Sequence, residues 1–282
     1  MKKSALATVA ALAILGGQSI AFADDAPAAP AAAASAPAAP PASPITYNIG
    51  VVSDYRYRGI SQSKLKPAVQ GGVDYAEGPI YVGTWLSTIK WVKDYTASYN
   101  NAQRSNETPV YVAEKGAPVE WDLYGGTRGD IIKDSLTYDV GVLGYIYLGE
   151  KFNTIGLSNP DTAEVYGSLT YGVFTAKVSI SATNLFGANN SKGSQYYDLS
   201  ANFDLGSGFT LTPDAAYQSI TGSVNKGYSY GDYSLTLGKD FGSGFSGSLQ
   251  VIATDAKKED YLASNGKFVG RTGVVAGVKY SF

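Results

Sequence analysis

The chain has no cysteine and no histidine among its 282 residues, and only one methionine. Without cysteine, neither a disulfide nor a thiolate metal site can hold it together. Without histidine it lacks the proton carrier most used in catalysis near neutral pH. A carboxylate pair or a Ser-Lys arrangement stays chemically open, but no spacing in the sequence points to one. The expectation is a protein that is not an enzyme and takes no metal or cofactor. Beyond residue 23 no apolar run approaches the roughly 20 residues that a helical membrane span needs. Only a closed barrel could then cross a membrane. Charge is also sparse, at 16% Asp, Glu, Lys and Arg. Removing Lys2 and Lys3 from the 22 basic residues leaves 20 against 24 acidic ones, a formal net charge of −4. The balance is mild and evenly spread, with no basic cluster, and offers nucleic acid no footprint.

What the sequence does contain suits an outer-membrane barrel. Tyr is the commonest aromatic, at 22, and Gly reaches 33. Tyr belongs in interfacial girdles and Gly in tightly curved strands. The chain opens with Met1-Lys2-Lys3, then an uncharged run from Ala5 to Leu15, then Ala21-Phe22-Ala23 ahead of Asp24. That order reads as a secretory signal peptide over 1–23, cut between Ala23 and Asp24. Its apolar run is too short to span a bilayer, and residues 4–15 lack the polar stripe of an amphipathic helix. Residues 24–45 are rich in Ala and Pro and read as an extended, partly stiff periplasmic linker. A plain spacer is the first reading; a tether to peptidoglycan or to a partner is the other.

From residue 46 onward, alternating segments separated by turn signals predict strands. They fall near 46–59, 67–77, 80–89, 118–126, 135–147, 162–171, 174–184, 195–205, 209–219, 229–240, 245–255 and 269–282. The even count lets both ends lie in the periplasm. Short connections follow every second strand, at Glu77-Gly78-Pro79, Gly172-Val173, Gly206-Ser207-Gly208 and Gly242-Ser243-Gly244, with a longer turn over 129–134. Longer polar loops follow the others, such as 256–267. Short turns at one end and long loops at the other are what a membrane barrel produces; a soluble sandwich has no reason to separate them.

Within each strand one row is apolar and the other polar. Phe174, Ala176, Val178 and Ile180 oppose Thr175, Lys177, Ser179 and Ser181. Lys or Arg on the lipid face at midplane costs roughly 2–4 kcal/mol, so the polar rows face inward. Pro213 falls in an apolar row and suggests a bulge or bend. The inward rows, as candidate pore lining, carry Asp54, Arg56, Arg58, Asp74, Glu120, Asp122, Asp139, Glu164, Lys177, Asp198, Asp204, Asp214, Asp232, Arg271 and Lys279. Acids outnumber bases in this set, so a conducting lumen would weakly prefer cations. Either these charges pair and seal the barrel, or they line a wet passage; the width of a twelve-stranded barrel favours some passage.

The densest polar cluster runs from Ser53 to Ser63. Asp54, Arg56 and Arg58 are expected to project inward, with Tyr55 and Tyr57 on the lipid side. A salt-bridge network with Asp74 of the adjacent strand is ranked first for them, and bidentate binding of an anion second. At the other end of the chain, residues 274, 276, 278, 280 and 282 form one apolar row. Phe282, with Tyr280 and Gly277, resembles the signal by which the barrel-assembly machinery reads a last strand. The polar residue usual two positions before the glycine is replaced by Val275.

A wider resemblance enters at Ser53 to Ser63 followed by Pro67-Ala68-Val69-Gln70-Gly71-Gly72-Val73-Asp74-Tyr75. With Tyr81 to Ser87, Glu120 to Gly126 and Leu136 to Gly141, these blocks resemble the TorF family of proteobacterial porins, formerly a conserved hypothetical group. The matches extend over nearly the whole barrel. The resemblance implies an outer-membrane pore and carries no catalytic or ligand residues. One departure is the stretch from Lys90 to Pro118, longer than the family's usual connection. It would fold into the lumen as a constriction, or outward as a hairpin through Val110-Tyr111-Val112.

The sequence therefore predicts an all-β, twelve-stranded antiparallel transmembrane β-barrel over 46–282. Its expected function is passive diffusion of small hydrophilic solutes across the outer membrane. The alternative is a closed barrel acting as a surface-binding or structural protein. Expected partners are outer-membrane lipid and lipopolysaccharide, the assembly machinery and the solutes.

Overall fold

The structure, a computed structural model, describes residues 43–93, 117–150, 158–263 and 265–282. The expected signal peptide with its predicted Ala23–Asp24 cleavage site, most of the expected Ala/Pro linker and the centre of the 90–118 stretch lie outside these residues. Among the described residues fifteen strands are formed. They are β1 (Ile45–Val52), β2 (Arg56–Tyr57), β3 (Ile60–Ser61), β4 (Ala68–Glu77), β5 (Ile80–Thr88), β6 (Val119–Ile132), β7 (Leu136–Ile146) and β8 (Thr162–Tyr171). They continue as β9 (Phe174–Ser181), β10 (Gln195–Ala201), β11 (Phe203–Gly206), β12 (Phe209–Ser219), β13 (Tyr230–Gly242), β14 (Phe245–Thr254) and β15 (Gly273–Ser281).

All but β2 and β3 join one antiparallel sheet, each strand paired with its neighbours in the chain. β1 pairs β15, with Val51 opposite Val278, and this closes the ring. The seam extends one step further, where the Tyr47 and Phe282 backbones exchange two hydrogen bonds of 2.8 and 2.9 Å. β10 and β11 are a single strand interrupted at Asn202, so the wall is a closed barrel of twelve strands. The expected bulge at Pro213 is absent. Its pairing with Leu235 of β13 is regular, and no register shift separates Ser200↔Asp214 from Phe203↔Leu211. The interruption falls instead in the partner strand at Asn202, opposite Thr212 and one residue along from the proline that has no N–H to donate.

The short connections are tighter than expected in one case. β6 runs on to Ile132, and Ser135 N–H donates to Ile132 O at 3.0 Å, so this turn matches the other four. In the turn after β13, Gly244 has φ +82°, and a Cβ there would stand 2.1 Å from Ser281 O. Only glycine fits such a position.

Side chains follow the alternation of strands. Ile45, Tyr47, Ile49 and Val51 of β1, Val140 and Val142 of β7, Leu235 and Leu237 of β13, and Val274 and Val278 of β15 are all exposed on the outer face. This apolar belt surrounds the whole barrel, far beyond the few hundred Å² of patch that a soluble monomer shows. The packed core lies inside the ring, towards the long-loop end. It comprises Val52, Tyr55, Tyr57, Trp85, Ile89, Val92, Tyr124, Leu143, Tyr145, Tyr147, Tyr166, Ile252 and Val275, among others.

The first predicted strand is corrected. The wall strand ends at Val52, and residues 53–67 turn into the lumen, where β2 and β3 form a two-stranded hairpin. Tyr55 and Tyr57, expected on the lipid side, are buried inside the barrel.

Candidate functional site

The hairpin is built from local signals. Tyr57 pairs with Ile60, leaving Arg58 and Gly59 as a two-residue turn with φ of +46° and +78°. Positive φ at both central residues is the turn that matches strand twist. Gly59 is required twice over, because a Cβ there would also lie 2.3 Å from Thr254 Cγ2 on the wall. Arg58 holds a left-handed conformation that costs a non-glycine residue roughly 1–2 kcal/mol. Asp54 braces the base. Its Oδ1 accepts from Ser61 Oγ at 2.5 Å and Ser63 Oγ at 3.1 Å, and its Oδ2 accepts from Arg56 Nε at 2.6 Å. Arg56 Nη1 then donates to the carbonyls of Gly59, Val269 and Arg271 at 2.8, 3.2 and 3.0 Å.

From this base the hairpin reaches across the lumen. Tyr55 Oη donates to Glu120 Oε1 of β6, whose Oε2 accepts from Tyr147 Oη at 2.8 Å. Tyr57 Oη meets Tyr145 Oη of β7 at 2.9 Å. Arg58 makes the longest reach. Nη1 and Nη2 donate to Glu164 Oε1 and Oε2 of β8 at 3.1 and 2.8 Å, and Nη1 also donates to Gln218 Oε1 of β12 at 2.7 Å. Its guanidinium carbon stands 4.2 Å from the Tyr196 ring centroid of β10 and 4.7 Å from that of Tyr57. Tyr230 Oη of β13 donates to the Arg58 carbonyl at 2.8 Å. Gln62 O accepts from Lys90 N and Trp91 N at 2.8 and 3.1 Å, tying the returning arm to the exit of β5. A segment that springs from β1 thus bonds to walls on every side of the ring.

The wall at this level is acidic. Glu120, Asp122, Glu164 and Asp232 are all buried on its inner face; Arg58 pairs with Glu164 and lies within electrostatic range of Asp232. Asp122 Oδ1 has no hydrogen-bond partner among the described residues. Asp232 accepts from Tyr196 Oη at 3.1 and 3.2 Å.

The short-turn half of the lumen is half-buried and differently charged. Asp74 accepts from Tyr124 Oη, and Lys279 lies within electrostatic range of it. Arg128 stands directly opposite Asp139 across β6 and β7, and Lys177 opposite Asp198 across β9 and β10. Tyr81 Oη donates to Asp139 at 2.5 Å, while Lys177 lies over the Tyr166 ring at 4.9 Å. Asp214 sits on the same inner wall, opposite Ser200.

Two layers therefore divide the sequence-derived set. Asp54, Arg56, Arg58, Glu120, Asp122, Glu164 and Asp232 gather in or against the hairpin. Asp74, Asp139, Lys177, Asp198, Asp214 and Lys279 line the half-open layer below. Two residues belong to neither. Asp204 is exposed and its carboxylate accepts from Gly206 N–H at 2.8 Å in the short turn. Arg271 precedes β15, its side chain is exposed, and only its carbonyl touches the hairpin. The expected network of the arginines with Asp74 is also corrected, because Asp74 stays with Tyr124 while Arg56 pairs with Asp54 and Arg58 with Glu164. Sequence reasoning missed the tyrosines of the closed layer. Length offered no signal, since the wall strand β6 also runs for 14 residues; the nearest one is Gly59, a turn residue inside the predicted strand.

No curated protein matches this sequence. Among solved structures, a KdgM porin in complex with disordered oligogalacturonate aligns at 6% identity and TM-score 0.47, covering 84% of this chain and 98% of that one. The NanC porin aligns at 11% identity with the same TM-score and coverage. The Acinetobacter baumannii outer membrane protein Omp33 aligns at 7% identity and TM-score 0.43, covering 85% and 98%. These are likenesses of architecture and carry no functional information. The model of the family described as "Bacterial protein of unknown function (Gcw_chp)" matches residues 35–282, and the chain belongs to that family.

Proposed function

We propose that this protein is an outer-membrane channel of porin type, closed in the present conformation by the hairpin of residues 53–67. The observation that carries the reading is the anchoring of that hairpin on the far wall by Arg58 and Glu164. Three features support it. Every wall strand is paired in a closed ring, which leaves no sheet edge in hydrocarbon. The outer belt is apolar all round. The plug is held by ion pairs, hydroxyls and carbonyls, for which water and polar solutes compete, rather than by a covalent tie. The TorF resemblance points the same way.

Release of the hairpin opens a passage for small hydrophilic solutes, which cross by diffusion with no chemistry and no cofactor. Glu120, Asp122, Glu164 and Asp232 then line the narrow level, and the current prefers cations. The signal peptide directs export, and the Gly277–Phe282 ending presents the last strand to the assembly machinery, with lipid and lipopolysaccharide around the apolar belt.

A second reading is favoured by the completeness of the tyrosine–carboxylate layer: a permanently closed barrel whose loops bind at the surface. Single-channel conductance of the refolded chain and of Glu164→Gln separates the two. Current in Glu164→Gln, with a cation-directed reversal potential across a KCl gradient, supports the gated channel. Silence from folded protein of both kinds overturns it in favour of the closed barrel.

A further inference from the structure

We infer that the wall pocket holding Arg58 is a binding site for guanidinium compounds, which compete with that arginine as the channel's preferred solutes. The inference deepens the channel reading and rests on it for the word solute; the site itself rests on wall geometry. Its components come from β8, β10, β12 and β13, all distant in sequence from the hairpin that fills it. Glu164 offers both carboxylate oxygens, 3.1 and 2.8 Å from the two terminal nitrogens of one guanidinium. Gln218 Oε1 adds a third acceptor at 2.7 Å. Tyr196 supplies a ring face 4.2 Å from the guanidinium carbon, and is itself fixed by its hydroxyl on Asp232.

This constellation is specific for a planar fork. A carboxylate with two parallel acceptors and an aromatic face matches a guanidinium, whereas an ammonium is a point charge that uses one acceptor at a time. The surroundings also call for a cation. Glu120, Asp122 and Asp232 are buried on the same wall, and Arg58 lies within electrostatic range of Asp232. Removing it leaves Glu164 buried and unneutralised, which a diffusible cation can relieve. Arg58 reaches the pocket from a left-handed turn position, φ +46°, so the internal occupant is held at a conformational cost that an external one does not bear.

The test uses the full chain refolded in detergent, with the folded state checked by β-sheet circular dichroism and heat-modifiable migration. Arg58→Ala vacates the pocket, and methylguanidinium and methylammonium are titrated by calorimetry. The expected result is methylguanidinium binding about tenfold or more tighter than methylammonium, lost by about tenfold or more in Arg58→Ala with Glu164→Gln. A folded Arg58→Ala that binds no methylguanidinium, or binds it equally after Glu164→Gln, overturns the proposal. If Arg58→Ala fails to fold, Arg58→Lys retains a charge but loses the fork; methylguanidinium should then bind about tenfold tighter than to the native chain, and equal binding overturns the site. Conductance of the same samples keeps the two readings apart. Binding without current retains the site and removes the channel, whereas current without binding retains the channel and removes the site.

Discussion

Arg58 and Glu164 stand 106 residues apart in sequence and share a two-bond ion pair, with both side chains buried inside the barrel. The pair joins a hairpin that leaves β1 to a strand on the far side of the ring. Tyr55 with Glu120 and Tyr57 with Tyr145 add further side-chain links across the lumen.

Breaking one half of that pair should be costly. Removing a partner from a buried ion pair leaves an uncompensated charge and typically costs about 3–5 kcal/mol. Arg58→Ala should therefore unfold at lower urea than Glu164→Gln, which keeps an acceptor for Arg58 and leaves Glu164's negative charge out of the pocket. Urea midpoints of the refolded variants check the order; equal midpoints would place the weight of the hairpin elsewhere.

Gly59 should tolerate no side chain. Its φ of +78° and the 2.3 Å approach to Thr254 Cγ2 mean that Gly59→Val must move the hairpin tip off the wall. The ring itself does not depend on that tip. The variant should stay heat-modifiable yet become open to trypsin after Arg56 and Arg58, both buried in the native protein. Mapping the cleavage sites by mass spectrometry decides it.

The two faces of β7 should respond oppositely to charge. Val142 is 56% exposed on the outer belt, so Val142→Arg should lower stability in lipid vesicles by about 2–4 kcal/mol if it lies near the midplane. Thr137→Arg, on the inner face of the same strand, should cost about 1 kcal/mol or less, because water reaches that layer. Equal costs would mean that the outer face is not in lipid.

Current through a Gly59→Val barrel should be carried mainly by cations. The exposed wall then presents Glu120, Asp122, Glu164 and Asp232, and the reversal potential in a KCl gradient should lie on the cation side. Reversal on the anion side would assign control to Arg128, Lys177 and Lys279 in the lower layer.

Much of the wall is legible from the chain. The strands predicted near 174–184 and 209–219 correspond to β9, three residues shorter at its end, and to β12, and the positions of the short turns mark one end of the barrel. These features are local: a strand shows its two faces at a spacing of two residues, and a lipid face tolerates no charge whatever lies across the ring.

The sequence by itself determined a closed apolar-outside barrel, because period, turn chemistry and the cost of a charge in lipid act within one strand and its neighbours. Only the tertiary structure decided the lumen. Alternation alone assigns Tyr55 and Tyr57 to the lipid side. Their hydroxyls instead find Glu120 and Tyr145, and Arg58 finds Glu164, partners 65, 88 and 106 residues away. A buried polar group goes where a bond is available, and those bonds exist only once the ring has brought the strands round to face one another.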